Sequence, residues 1–173
     1  YDVSTKLEAS DRYISWQEAK KIAGLTEKEL DNIMNLLSKV NKLISEEAKK
    51  AGLENLDGKI ELAFDNNRNL MVVDAVGTPD ECRFSYNGFS ISKEAIRKYY
   101  RNTEWYQNVS RAKKAGGPEW KNQVNQAPEP LPENILSLIS QLYMSCTNKV
   151  TNRNWFENSL TFNEIEESLN KLN

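Results

Sequence analysis

An α+β fold, an antiparallel sheet with helices packed around it, is predicted by changes in hydrophobic period along the chain. From Leu30 to Ile44 apolar residues recur at helical spacing, in LDGKIELAF (residues 56–64) they alternate, and from Ile135 to Tyr143 the helical spacing returns. A chain of 173 residues, 39% hydrophobic and 28% charged, suffices for one sizeable core or a single lobe of a larger protein.

The elements follow in order. Ser15 with Glu18 and Thr26 with Glu29 have capping-box spacing and open two helices. The second is expected from about Glu27 to Ala51, burying Leu30, Ile33, Met34, Leu37, Val40, Leu43 and Ile44, with Gly52 as its left-handed stop. Next, Leu56, Ile60, Leu62 and Phe64 alternate with Asp57, Lys59 and Glu61 in a strand with one polar face. The turn-rich DNNRN (65–69) joins it to a second strand, LMVVD (70–74), as an antiparallel hairpin. A four-residue loop over 66–69 would pair Asp65 with Leu70 and set Glu61 opposite Asp74, with Cβ atoms about 5 Å apart. Like charges so placed repel unless a cation lies between them.

After a short extended piece around Tyr86, Asn87 and Gly88, Ser92 is placed to cap a helix from Lys93 to about Val109, with Lys93 and Arg97 one turn apart on a polar face. AGGP (115–118) breaks the helical pattern. APEPLPEN (127–134) reads as an extended strap leading to a helix from about Glu133 to Val150 with Ile135, Leu138, Ile139, Leu142 and Tyr143 buried. A capping box of Thr161 and Glu164 begins a short last helix.

Composition narrows the chemistry. The 23 basic and 25 acidic residues are dispersed, for a net charge of −2, so no nucleic-acid or acidic-membrane footprint is visible. No apolar run approaches the roughly 18 residues that span a bilayer. Cys82 and Cys146 lack metal-type spacing and fit a reduced, cytoplasmic setting, with Cys82 read as a buried small apolar residue. The chain has no histidine, which excludes imidazole acid–base chemistry, histidine triads and His-ligated zinc within it. The seven glycines form neither G-x-G-x-x-G nor a P-loop. The opening residues, with neither an initiator methionine nor a signal-type segment, predict a chain that begins in mid-protein.

One region gathers chemistry-bearing side chains: Asp57, Lys59 and Glu61 on the first strand, Asp74 at the end of the second, and the following turn and strand TPDECR (78–83). Carboxylates of this kind suit Mg²⁺, which takes one or two of them and completes its shell with phosphate and water. Lysine offers a point charge to phosphate, arginine a planar fork. The same letters also describe a solvent-facing strand with alternating charges and a Pro-Asp turn, and periodicity does not separate the two.

The segments around these residues resemble the SAICAR synthetase (phosphoribosylaminoimidazole-succinocarboxamide synthase) family. STKLEASDRYIS (4–15) is similar to its T-K-x-E…D-R-x-I-S stretch and GLENLDGKIELAF to its D-x-K-x-E strand. VVDAVGTPDECRF resembles its T-P-D-x-x-R segment, SKEAIRKYY its D-K-Q-x-x-R helix, and PEPLPENILSLISQLYMSCTNKVTN its P-x-L-P ending; TPDECRF with TEWY is most similar to a longer-chain branch common in archaea. The resemblance implies that residues 1–173 form the larger, C-terminal lobe of a two-lobe, ATP-grasp-like fold. It implies an ATP- and Mg²⁺-dependent ligase joining L-aspartate to carboxyaminoimidazole ribonucleotide through an acyl phosphate.

Carried over by motif position, the resemblance makes Glu61 and Asp74 metal ligands near ATP, Lys59 the lysine facing phosphate, and Asp57 the residue orienting that lysine. Lys6 and Glu8 fall in the ATP cleft, Asp80 and Arg83 on the ribonucleotide, and Lys93 and Arg97 toward a substrate carboxylate. Ala75 replaces the second acid of the family's Asp-Glu pair, Leu62-Ala63 replaces Phe-Gly, and the N-terminal lobe with its glycine-rich loop has no counterpart. That lobe is expected as a partner, in the same chain or a second one, and homo-oligomerisation stays open. A non-catalytic nucleotide-binding homologue and another Mg²⁺-dependent phosphotransferase or ATP-grasp-like ligase are the competing readings.

Overall fold

Capping chemistry sets the helix boundaries in the computed structural model, which describes residues 1–6, 8, 11–116, 120–124 and 126–172. Helix α1 (Trp16–Ala23) starts at Ser15, which accepts the Glu18 N–H at 3.2 Å. The Glu18 carboxylate accepts from Arg12 Nη1 at 2.8 Å instead, so this box is half-made. Helix α2 (Glu27–Lys50) has the full box: Thr26 accepts the Glu29 N–H and Glu29 accepts the Thr26 N–H at 2.8 Å. It ends at Gly52, where φ is +74°. The apolar stripe of α2 is only partly covered: Ile33 and Ala48 are buried, whereas Leu43 is 58% exposed.

The expected strand over 56–64 divides in two. Strand β3 (Glu54–Gly58) pairs with β6 (Cys82–Tyr86), and β6 with β7 (Phe89–Ile91), giving the antiparallel order β3-β6-β7. Among the described residues, strand β4 (Glu61–Phe64) pairs only with β5 (Leu70–Val73), and β1 (Val3–Ser4) only with β2 (Tyr13–Ile14). The division begins at a bulge: Asn55 faces Phe84 and Asp57 faces Arg83, leaving Leu56 unpaired and 58% exposed. Lys59 and Ile60 then form the break between the sheets.

The β4–β5 register is one residue away from that expected, with Phe64 opposite Leu70 and Glu61 opposite Val73. Asp65 is the cause, because it belongs to the turn. Its Oδ1 accepts the Asn67 N–H at 2.8 Å and the Asn69 N–H at 2.7 Å, and its own N–H reaches Asn69 O at 3.0 Å. Asp74 therefore falls beyond the paired strand, at φ +69°, and Oδ1 accepts the Ala75 N–H at 2.8 Å. Glu61 and Asp74 are not cross-strand partners, although both stand at the open end of the hairpin.

Residues 86–89, expected as a simple extended piece, are a hairpin. Tyr86 pairs with Phe89 across Asn87 (φ 51°) and Gly88 (φ 86°), the Asn-Gly turn that matches strand twist. The single helix expected over 93–109 is two, α3 (Glu94–Arg101) and α4 (Glu104–Ala115), because Thr103 interrupts the first and caps the second by accepting the Tyr106 N–H at 3.3 Å. Ser92 still accepts the Glu94 N–H at 3.2 Å. Gly117 and Pro118 of the expected breaker lie outside the described residues. The strap crosses the surface, where Tyr100 donates to Glu129 O at 2.8 Å. Helix α5 (Glu133–Thr151) and α6 (Phe162–Asn170) close the chain, the latter with its full Thr161–Glu164 box.

The core lies between the inner face of β6 and β7, the end of α2, and α5 with α6; Phe84, Ile91, Leu142 and Ile165 are at most 2% exposed. Alternation along β6 sends Cys82 and Phe84 inward and Arg83 to solvent. Gly58 faces Cys82, and a Cβ on Gly58 would stand 2.8 Å from the buried Sγ. Gly58→Ala is thus expected to lower stability by about 1–3 kcal/mol, measured as a lower urea midpoint. No described helix is long and apolar enough to cross a membrane.

Candidate functional site

The break between β3 and β4 brings two lysines to one carboxylate. Lys59 Nζ stands 3.0 Å from Glu61 Oε1, and Lys6, from the segment after β1, donates to the same oxygen. Glu61 is the least exposed of the three, its side chain 17% accessible against 51% for Lys59 and 61% for Lys6. Lys6 and then Lys59 hold the Glu61 carboxyl below its usual range, and Glu61 in turn raises Lys59. Glu81 and Asp11 also act through space on Lys59, after the larger effect of Glu61.

Main-chain bonds fix this cluster to the turn before β6. The Lys59 N–H donates to Glu81 O at 2.9 Å, and the turn is closed by Glu81 and Cys82 N–H groups donating to Thr78 O at 3.1 and 2.8 Å. The same turn receives helix α3, since the Lys93 N–H donates to Pro79 O at 3.2 Å. Lys93 Nζ stands 3.7 Å from Asp80 and 3.9 Å from Glu81. Lys6, Lys59, Glu61, Asp80 and Lys93 are thus linked through one turn, with Glu81, which sequence reasoning passed over, as the connecting residue.

Other expected partnerships differ. Asp57 grips Arg83 across the strands, accepting from Nε at 2.7 Å and from Nη2, and it does not orient Lys59. Arg83 holds Asp57 below the usual carboxylate range despite partial burial. Glu8 pairs with Arg12, at 3.0 Å, rather than joining the lysine cluster. Arg97 turns to Glu94 at 3.4 Å, so it and Lys93 have separate acidic partners. Glu94 and its other partner, Arg101, were readable from the i, i+3 and i+7 spacing but were not singled out.

Among the described residues no group of three or more His, Cys, Asp or Glu side chains could enclose a metal. Cavities of about 350 Å³ at the end of α5 and about 460 Å³ beside α4 contain none of these side chains. The lysine–carboxylate cluster lies on an open surface. Both cysteines are buried and unpaired, and burial pushes Cys146 up to about 12, which makes it a poor nucleophile.

Fold and site together define an α+β chain with a lysine–carboxylate cluster on an open surface. The SAICAR synthetase family profile matches residues 1–113, and the chain belongs to that family. It is 53% identical over 156 residues to a protein of Archaeoglobus fulgidus provisionally named phosphoribosylaminoimidazole-succinocarboxamide synthase, covering 90% of this chain and 46% of that protein. The synthase of Thermoplasma acidophilum is 34% identical over 164 residues, with 90% and 53% covered. The chain therefore spans about half the length of the curated relatives it matches. Two solved structures share the fold. A SAICAR synthetase in complex with ADP has a TM-score of 0.59 at 19% identity, covering 88% of this chain and 50% of the other. The Saccharomyces cerevisiae enzyme complexed with SAICAR has a TM-score of 0.61 at 21% identity, covering 84% and 45%.

Proposed function

We propose that this chain is one lobe of a ligase that joins L-aspartate to carboxyaminoimidazole ribonucleotide, giving SAICAR, ADP and phosphate in purine biosynthesis. The observation that carries the reading is the pair of lysines on Glu61, held by main-chain bonds beside the Asp80 turn in a member of the SAICAR synthetase family. A nucleotide-binding lobe, in the same chain or another, completes the cleft; relatives about twice as long support this.

The chemistry divides into two displacements. A carboxylate oxygen of the ribonucleotide attacks the γ-phosphorus of ATP and ADP leaves; the aspartate amine then attacks the acyl carbon, the C–O bond to phosphate breaks, and the amine proton passes to solvent or the departing phosphate. Lys59 and Lys6 turn from Glu61 to the phosphoryl oxygens as negative charge spreads there, and they stabilise the transition state more than the ground state. Arg83, with Asp57 fixing its fork, and Lys93 beside Asp80 orient the ribonucleotide.

Mg²⁺ fits the donor set as a nucleotide-borne ion rather than a caged one: Glu61 and Asp74, at the open end of the β4–β5 hairpin, would supply its one or two carboxylates. When bound it neutralises charge on the transferring phosphoryl group.

With ATP, Mg²⁺, L-aspartate and the ribonucleotide, the complete protein should release one ADP per SAICAR; no ADP release would sink the reading. Glu61→Gln is expected to raise the Mg²⁺ concentration for half-maximal rate by roughly ten- to hundredfold. Asp74→Asn should raise it less. An unchanged Mg²⁺ dependence in Glu61→Gln would remove Glu61 from the metal.

A further inference from the structure

The start of α3 ties Arg97, which the resemblance sets toward a substrate carboxylate, to Glu94 and Arg101, to which it assigns no role. Glu94 is the first residue of the helix, and its side chain is 15% exposed. Its two oxygens are divided between two arginines: Oε2 accepts from Arg97 Nη1 at 3.4 Å, and Oε1 accepts from Arg101 Nη2. The arginine side chains are 56% and 46% exposed, so a sheltered acid holds two guanidinium groups that face water. The i, i+3, i+7 spacing puts all three on one helical face. Among the described residues neither Arg97 nor Arg101 has a second carboxylate partner.

We propose that Glu94 is a positioning residue that sets Arg97 and Arg101 as a two-guanidinium clamp for a carboxylate of a dicarboxylic substrate. Without an acid between them, two guanidiniums one turn apart repel and their long side chains disperse. With it, each is fixed through Glu94, Arg101 with a further contact to the Tyr106 hydroxyl, and N–H donors of the two forks remain for a planar carboxylate.

The base of the clamp is rigid. Ser92, fully buried, accepts the Glu94 N–H at 3.2 Å and lies 3.1 Å from Ser90 Oγ. The preceding Lys93 N–H is tied to the turn that bears Asp80, so the clamp is anchored to the lysine site's own turn. Glu94 also acts through space on Arg83, raising it after the larger effect of Asp57. Among the described residues the ion-pair partners of Arg83, Arg97 and Arg101 are Asp57 and Glu94.

The clamp rests on the ligase reading only in identifying the dicarboxylate as L-aspartate, whose two carboxylates distinguish it from neutral amino acids. The test uses the complete protein and two readouts, steady-state kinetics and calorimetric binding of succinate, a dicarboxylate that cannot react. Glu94→Gln and Arg101→Lys are each expected to raise the KM for L-aspartate and the Kd for succinate about tenfold. The KM for ATP, kcat and the melting temperature should stay close to those of the parent. Glu94→Asp should recover part of the loss. Equal losses in kcat and ATP affinity, or unchanged succinate binding in both variants, would overturn the clamp, as would a parent protein that binds no succinate. Succinate binding that depends on Glu94 in a protein without ligase turnover would retain the clamp and dismiss the ligase reading. Normal turnover with silent variants would do the reverse.

Discussion

Lys59→Met in the complete protein is expected to lower kcat by about 10²- to 10³-fold, with little change in melting temperature. The split between activity and stability follows from where the lysine sits. Its Nζ is paired with Glu61 at 3.0 Å on a side chain 51% exposed, and exposed ion pairs of this kind contribute little to folding. Its backbone is fixed nonetheless, through the N–H bond to Glu81 O at 2.9 Å, and methionine keeps that bond and the length of the side chain. What methionine loses is the positive point charge that the proposed mechanism sets against the transferring phosphoryl group. Lys6 comes from the segment after a two-residue strand and is 61% exposed, so Lys6→Met should cost less. Arginine at position 59 restores the charge with a broader, planar head, and only partial recovery is expected. A Lys59→Met variant within about threefold of the parent in kcat would remove Lys59 from the transition state.

The difference between what could and could not be read from the letters is physical. Capping boxes are local: Thr26 with Glu29 and Thr161 with Glu164 meet within one turn and both formed as spaced, whereas at Ser15 the nearby Arg12 took the returning Glu18 carboxylate. Buried stripes are nearly as local, so α5 appeared with Ile135, Ile139 and Leu142 inside. Registers are not local. Asp65 looked like the last residue of a strand and became the anchor of the turn, and that slip of one residue parted Glu61 from Asp74. The bulge at Leu56 was hidden in the same way, because a period-2 pattern persists in the sequence when the ladder has already been broken. The Asn87-Gly88 turn, by contrast, was present in the letters and needed only to be weighed as a hairpin signal.

The site divides along the same line. Part of the gathering was legible, since Lys59 and Glu61 do stand beside the turn that bears Asp80, but the arrival of Lys93 at that turn was not. Which partner each one takes was not. Asp57 chose Arg83 because β3 lies against β6, a pairing between segments 26 residues apart that no local spacing announces.

Phe84→Ala is expected to remove about 3–5 kcal/mol of folding stability, a large share of the roughly 5–15 kcal/mol a domain of this kind possesses. Phe84 is 2% exposed on the middle strand of the β3-β6-β7 sheet, opposite Asn55 on one side and Ile91 on the other. It belongs to the same buried cluster as Leu142 of α5 and Ile165 of α6, so its ring joins the sheet to both final helices. Removing the ring leaves a cavity that the surrounding backbone cannot close without shifting β6, and β6 also carries Arg83. Urea unfolding should show a lower midpoint with an unchanged slope, and Phe84→Leu should recover part of the loss because it keeps four of the seven side-chain carbons. At low temperature, where the variant is still folded, the Asp57–Arg83 pair sits on the opposite, solvent-facing side of the strand and should persist. A stability loss for Phe84→Ala below about 1 kcal/mol would mean that the sheet is not held to α5 and α6 through this residue. The site turn, which leads directly into β6, would then need another support.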